Sequence, residues 1–185
     1  MSQLEQILTH NRHFVENKVY EQFKAERYPR KKLVIVTCMD TRLTELLPRA
    51  LDLKNGDAKV LKTAGALISQ PYGSIMRSVL VGITKLKARE ILVIGHHDCG
   101  MVGLTAEPVL DDLADRGITE ADIASVNEAG VSVDKWLCGC ENVETGVMES
   151  VQLIQNHPLV PEDVLVHGLV IHPETGELTL IHDGR

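Results

Sequence analysis

The sequence predicts an α/β fold: a three-layer domain with a mostly parallel sheet, helices on both faces and an antiparallel edge strand. Three observations lead there. Short, continuously apolar, β-branched runs such as "KLVIVT" and "REILVIG" read as strands covered on both faces. Segments of ten or more residues with helical periodicity alternate with those runs, as crossover connections between parallel strands require. The chain then closes on two strand-like runs joined by "ETG", a hairpin with Thr175-Gly176 in its turn.

In order along the chain, Leu4, Ile7, Leu8, Phe14, Val15, Val19 and Phe23 recur at roughly helical spacing between residues 3 and 26, predicting an amphipathic helix or pair of helices. The first strand spans 32–37. "TELLPRALDL" reads as a helix, with Pro48 kinking it or lying near a turn. "DAKVLKTAG" supplies a shorter strand ending at Gly65. A helix over 72–88 places Ile75, Val79 and Ile83 on one face, with Met76 and Leu80 beside them. The next buried strand is "REILVIG". Residues 101–118 are the least regular and read as a flap. A helix is predicted over 119–136, opened by a capping box from Thr119 to Asp122, and another over 141–156. Gly56, Gly65 and Gly73 read as turns.

A chain of 185 residues suffices for one domain, 1–185, with residues 1–30 as a helical arm. Aromatic residues make up only 3%, so the core must be built from Val, Leu, Ile and Ala. A net charge of −7 gives no electrostatic reason to expect nucleic acid or an anionic membrane as partner. The basic run at Arg27, Arg30, Lys31 and Lys32 reads as a solvated helix end. The opening "MSQLEQILTH" lacks the basic flank and apolar core of a signal peptide. No apolar run approaches the ~20 residues of a bilayer span. The expected location is therefore the cytoplasm, where four cysteines read as metal ligands, reactive thiols or buried hydrophobes before disulfides.

Two strands end in chemistry-bearing residues. "TCMDTRL" places Cys38, Asp40 and Arg42 at alternate positions, and "LVIGHHDCG" places His96, His97 and Cys99 just past the third strand. Open α/β sheets bind ligands beyond the carboxyl ends of their strands, where the strand order reverses. If these two strands are neighbours, two cysteines and a histidine converge as three corners of a tetrahedron that suits zinc. His97 is a competing ligand, although period-two alternation turns it away from the side His96 occupies. Packing competes with ligation for each cysteine, since buried free cysteines are common. Zinc with two thiolates and a neutral imidazole is uncharged, so a carboxylate added to it gives a net negative site that Arg42 can offset, or Arg42 can hold Asp40 by a bidentate pair. Two roles stay open for Asp40: occupying the fourth position, or accepting a hydrogen bond from water bound there.

With Cys38, Asp40 and Arg42 as C-x-D-x-R, and His96 and Cys99 as H-x-x-C, the sequence resembles the β-class carbonic anhydrases, in their type II-like subgroup. The resemblance continues through "GDAKVLKTAGA", "GSIMRSVLVGITKLKAREILVIGHHDCGM" and "VLVHGLVIHPETGEL", covering most of the chain from about residue 32. It implies zinc held by Cys38, His96 and Cys99, a catalytic dyad of Asp40 and Arg42, and a substrate pocket touching Ala64 and Gly65. It also implies strand order 2-1-3-4 and a homodimer or tetramer in which the N-terminal helices pack on the partner subunit. The implied activity is reversible hydration of CO₂ to bicarbonate by zinc-bound hydroxide, with Asp40 accepting the hydroxide's hydrogen bond and Arg42 fixing Asp40. In one subtype of the family the aspartate is instead a fourth zinc ligand. His97 reads either as a proton relay or as a histidine packed at a strand end.

The sequence departs from the family pattern in three places. Met39 stands where members with a regulatory bicarbonate pocket carry Trp; "TAG" at 63–65 replaces the frequent "NAG"; and residues 101–136 match poorly. Competing readings are a zinc hydrolase of carbon disulfide or carbonyl sulfide, a non-catalytic zinc-binding relative, and a thiol-redox protein. Cys138 and Cys140 read as a non-functional pair. His157, His167, His172 and His182 read as sheet-edge or hydrogen-bonded histidines.

Overall fold

The β-branched runs pair as the alternation of elements requires. A computed structural model describes residues 1–185. Five strands, β1 (Leu33–Cys38), β2 (Ala58–Thr63), β3 (Glu90–His96), β4 (Leu165–Ile171) and β5 (Leu178–His182), form one sheet in the order β2-β1-β3-β4-β5. The first four are parallel and β5 runs antiparallel to β4. The expected order and antiparallel edge are thus present. Gly176, at positive φ, closes the hairpin with its N–H donating to the His172 carbonyl.

Alternate strand residues face opposite layers, so each central strand feeds two cores. Val34, Val36, Ile91, Val93, Val166 and Val170 pack against α3 (Ser74–Thr84) and α7 (Val143–Gln155), which contribute Met76, Val79, Ile83, Val147, Val151 and Ile154. Leu33, Ile35, Ile94 and Ile171 pack against Leu43 and Leu47 of α2 (Leu43–Ala50). Gly82 is buried at one of these contacts because an added Cβ would lie 2.6 Å from Val34 Cγ2.

Two expectations are corrected. The flap over 101–118 contains a helix, α4 (Ala106–Ala114). Pro108 lies in its first turn, where the missing N–H costs nothing. The single helix over 119–136 is two: α5 (Glu120–Glu128), which does carry the Thr119–Asp122 capping box, and α6 (Val133–Leu137). Gly130, at φ 90°, ends α5 in a Schellman arrangement, with Gly130 N–H on the Asn127 carbonyl and Val131 N–H on that of Val126.

The amphipathic start is a helix, α1 (Gln3–Glu16), followed by a 3₁₀ turn (Val19–Phe23). Phe14 and Phe23 stack at 6.2 Å between ring centroids, yet no α1 residue is buried. No helix is long and apolar enough to cross a membrane. Beyond this arm, Arg30 Nε donates to Asp57 Oδ1 at 2.8 Å, and the Lys54 N–H donates to Asp57 Oδ2 at 2.8 Å.

Those contacts, the Lys54 N–H first and Arg30 second, hold the Asp57 carboxyl below the ordinary carboxylate value of 3.8. A depressed folded-state pKa contributes stability that is present above the unfolded value and lost as pH falls through the folded one. Asp57→Asn should therefore lower the Tm at neutral pH, with the gap from wild type closing below about pH 4. A gap that stays constant down to about pH 2 contradicts the assignment.

Candidate metal centre

The site is built where β1 and β3, adjacent and parallel, both stop. The order reverses there, with β2 beyond β1 and β4 beyond β3, making this the switch point at which α/β sheets bind ligands. β1 delivers Cys38 as its last residue, and β3 delivers His96 as its last. A tight turn through Asp98, at φ 56°, brings Cys99 back toward them. The donor atoms of Cys38, His96 and Cys99 all lie within 4.8 Å of one another, and the two sulfurs are 4.0 Å apart. Zinc–sulfur bonds of about 2.3 Å in a tetrahedron set donors roughly 4 Å apart.

The imidazole supplies the test of whether a metal fits. His96 is buried, and its Nδ1 lies 2.8 Å from the His97 carbonyl oxygen, which can only accept. Nδ1 must therefore carry the proton, leaving a lone pair on Nε2. That Nε2 is buried without a hydrogen-bond partner. A buried orphaned lone pair is costly, and here it sits beside two sulfurs. A second bond from the ligating histidine to a carbonyl is the usual means of fixing the tautomer at metal sites. Burial, opposed in part by the Met101 N–H and reinforced by Cys38, pushes the Cys99 thiol up to about 11. A divalent cation between the sulfurs reverses that tendency, because it deprotonates a coordinating thiol. The donor set thus fits zinc.

At the rim, Asp40 and Arg42 form the pair their spacing suggested. Arg42 Nη2 donates to Asp40 Oδ2 at 2.8 Å, and Nε donates to both carboxylate oxygens at 3.1 and 3.2 Å. The Arg42 main-chain N–H adds a bond of 2.8 Å to Oδ1 at the start of α2. Arg42, chiefly through its side-chain bonds, holds the Asp40 carboxyl down to about 2 despite its partial burial. Asp40 is consequently ionised at neutral pH. Its Oδ2 lies 3.8 Å from His96 Nε2.

A cavity of about 430 Å³ opens over these groups, lined also by Met39, Ala64, Gly65 and Met101. Gly65 takes φ 71°, and a Cβ there would lie 2.9 Å from that of Met101. The structure turns His97 away: it is exposed, with its ring 6.0 Å from that of His172. Cys138 and Cys140 stand outside the donor cluster, Cys138 donating to the Asp134 carbonyl at 2.9 Å. Sequence reasoning missed Met101, and it missed Asp98, whose carboxylate accepts from Arg42 Nη1 at 2.9 Å. The one available sign of Asp98 was an acid inside the H-x-x-C turn.

The fold and site define an α/β protein with a sulfur–imidazole donor set that could hold a metal at its strand switch point. Comparison with known proteins narrows the class. The family model described as carbonic anhydrase matches residues 33–178. This chain belongs to the β-class carbonic anhydrase family. It is 53% identical over 184 residues to the Bacillus subtilis (strain 168) protein named "Putative carbonic anhydrase YvdA", covering all of this chain and 93% of the relative. The crystal structure of β-carbonic anhydrase isoform I from Trichomonas vaginalis superposes with a TM-score of 0.90 at 35% identity, over the whole of both chains. A carbon disulfide hydrolase of Acidithiobacillus thiooxidans is 29% identical over 160 residues, covering 82% of this chain and 78% of that protein.

Proposed function

We propose that this chain is a zinc-dependent carbonate dehydratase that interconverts CO₂ with bicarbonate and a proton. The observation that carries this reading is the orphaned, buried Nε2 of His96 facing two cysteine sulfurs, with an ionised carboxylate at the rim. Cys38, His96 and Cys99 are the proposed zinc ligands. Zinc there would lower the pKa of a water toward neutrality and make it a nucleophile.

The chain's own residues do the rest. Asp40 accepts a hydrogen bond from the nucleophile and so orients its lone pair, while Arg42, engaging both Asp40 oxygens, keeps the carboxylate in place as an acceptor. That engagement favours the acceptor role over fourth-ligand duty. The cavity over the donors, lined by Ala64 and Gly65, gives room for a small linear substrate. A reducing cytoplasm, in which thiol ligands stay reduced, suits the site.

Stopped-flow CO₂ hydration by zinc-loaded protein tests the reading. Two thiolates donate more charge to a metal than imidazoles do, so the rate should climb between about pH 7 and about pH 9. A rate flat across that range contradicts it. The 29% identical carbon disulfide hydrolase supports a second reading, hydrolysis of carbon disulfide or carbonyl sulfide. Sulfide release with no CO₂ hydration would select it.

The proposed assembly is a homodimer or tetramer. On α1, Leu4, Ile7, Leu8 and Val15 are all at least half exposed, and a lone 14-residue helix is marginal in water. A partner subunit covering that stripe resolves both features. Deleting residues 1–17 should shift the protein to monomer in light scattering; an unchanged oligomer overturns this packing.

A further inference from the structure

Arg42 has a second anchor that the family motif does not include. Besides Asp40, its Nη1 donates to Asp98 Oδ2 at 2.9 Å, and its Nη2 donates to the Asp98 main-chain oxygen at 3.1 Å. Every guanidinium nitrogen is thereby used, in a planar fork that leaves little freedom to rotate. Asp40 and Arg42 share one loop, so their mutual pair by itself can swing as a unit. Asp98 lies in the turn between His96 and Cys99, beyond the end of β3, so its two bonds tie that pair to the donor turn.

The backbone argues that the residue type matters. Asp98 holds φ 56°, a left-handed conformation for which glycine is the unstrained choice and aspartate one of the few tolerated alternatives. Its side chain is 83% exposed. An ion pair that exposed contributes little to stability, so stability does not account for an aspartate there, whereas geometry does.

We infer that Asp98 is a positioning residue: by fixing Arg42 from the turn that follows β3, it holds Asp40 in register with the Cys38/His96/Cys99 donors. The inference rests on the functional reading above. Its consequence is separable from stability, because removing the carboxylate should loosen the pair without disturbing the fold or the donors.

The test uses Asp98→Gly, which relieves the left-handed strain and deletes the carboxylate, and Asp98→Asn, which keeps an acceptor oxygen. Each is loaded with Co(II), and visible absorption, metal content, Tm and CO₂ hydration are measured. Asp98→Gly should retain stoichiometric metal and the wild-type Tm. Its kcat should fall about tenfold with KM within about twofold, since misplacing a reacting group is expressed in the transition state. Its cobalt spectrum should also change, because Asp40 freed from its fixed pose moves relative to the metal. That change should vanish in the Asp40→Asn background, and Asp98→Asn should recover most of the rate.

A wild-type rate and spectrum in Asp98→Gly would overturn the inference, as would equal impairment of the Gly and Asn variants. If the wild type binds cobalt but hydrates no CO₂, the functional reading fails, and the spectra alone still decide whether Asp98 fixes Asp40. Wild-type protein that retains no cobalt removes both, and does so before any variant is compared.

Discussion

His96→Ala should leave a folded protein that has lost its metal and, with it, CO₂ hydration. On the proposed reading the side chain is one of three protein ligands, and its Nε2 has no hydrogen-bond partner in the structure. Structural zinc binds with roughly 10–16 kcal/mol shared among four ligands, so one donor accounts for roughly 2.5–4 kcal/mol. At about 1.4 kcal/mol per decade, affinity should fall at least about a hundredfold. The same substitution strands the His97 carbonyl and opens a small cavity beside Ile94 and Ile171, a stability loss of the order of 2 kcal/mol that a sheet with two cores can absorb. Metal content after dialysis and a thermal melt separate the two effects. His97→Ala is the control, because its exposed ring lies toward His172 and should leave metal binding intact. Full metal retention in His96→Ala, or loss in His97→Ala, reverses the ligand assignment.

Asp40→Asn should keep the metal and lose the rate. The amide matches the carboxylate in shape but has one acceptor oxygen where Arg42 Nε and Nη2 now engage two. Its NH₂ must then face either the guanidinium, donor against donor, or the nucleophile, where it can only donate. Either choice removes the acceptor proposed to orient the nucleophile. A positioned acid–base or acceptor group contributes typically about a hundred- to ten-thousandfold, so kcat should fall by at least about two decades at unchanged zinc content. Full activity in the variant refutes the role given to Asp40. Equal inactivity of variant and wild type points instead to a non-catalytic zinc-binding protein.

Much of this was legible in the residues. The sheet could be read because its central strands are buried on both faces and are therefore continuously apolar, a pattern that few helices of that length share. Cys38, His96 and Cys99 stood out because strand ends at a switch point are where α/β folds place ligands, and period-two alternation separated His96 from His97. Helix α4 was missed because 101–118 is the least regular stretch of the chain, although Pro108 fits a first helical turn as readily as a break. The division of 119–136 was missed because Gly130 is as readily tolerated within a helix pattern as it is used to end one. Both depend on which backbone groups find partners, which composition does not record.

The sequence alone determined the succession of strands and the side chains available to a metal, because burial periodicity and residue chemistry are local properties. Only the tertiary structure decided that β1 and β3 lie side by side and that Arg42 answers to two carboxylates. Those facts turn on contacts across 56 to 61 residues of chain, and on the left-handed turn at Asp98 that makes one of them. Distances set by packing at long separation are global, and no local pattern encodes them.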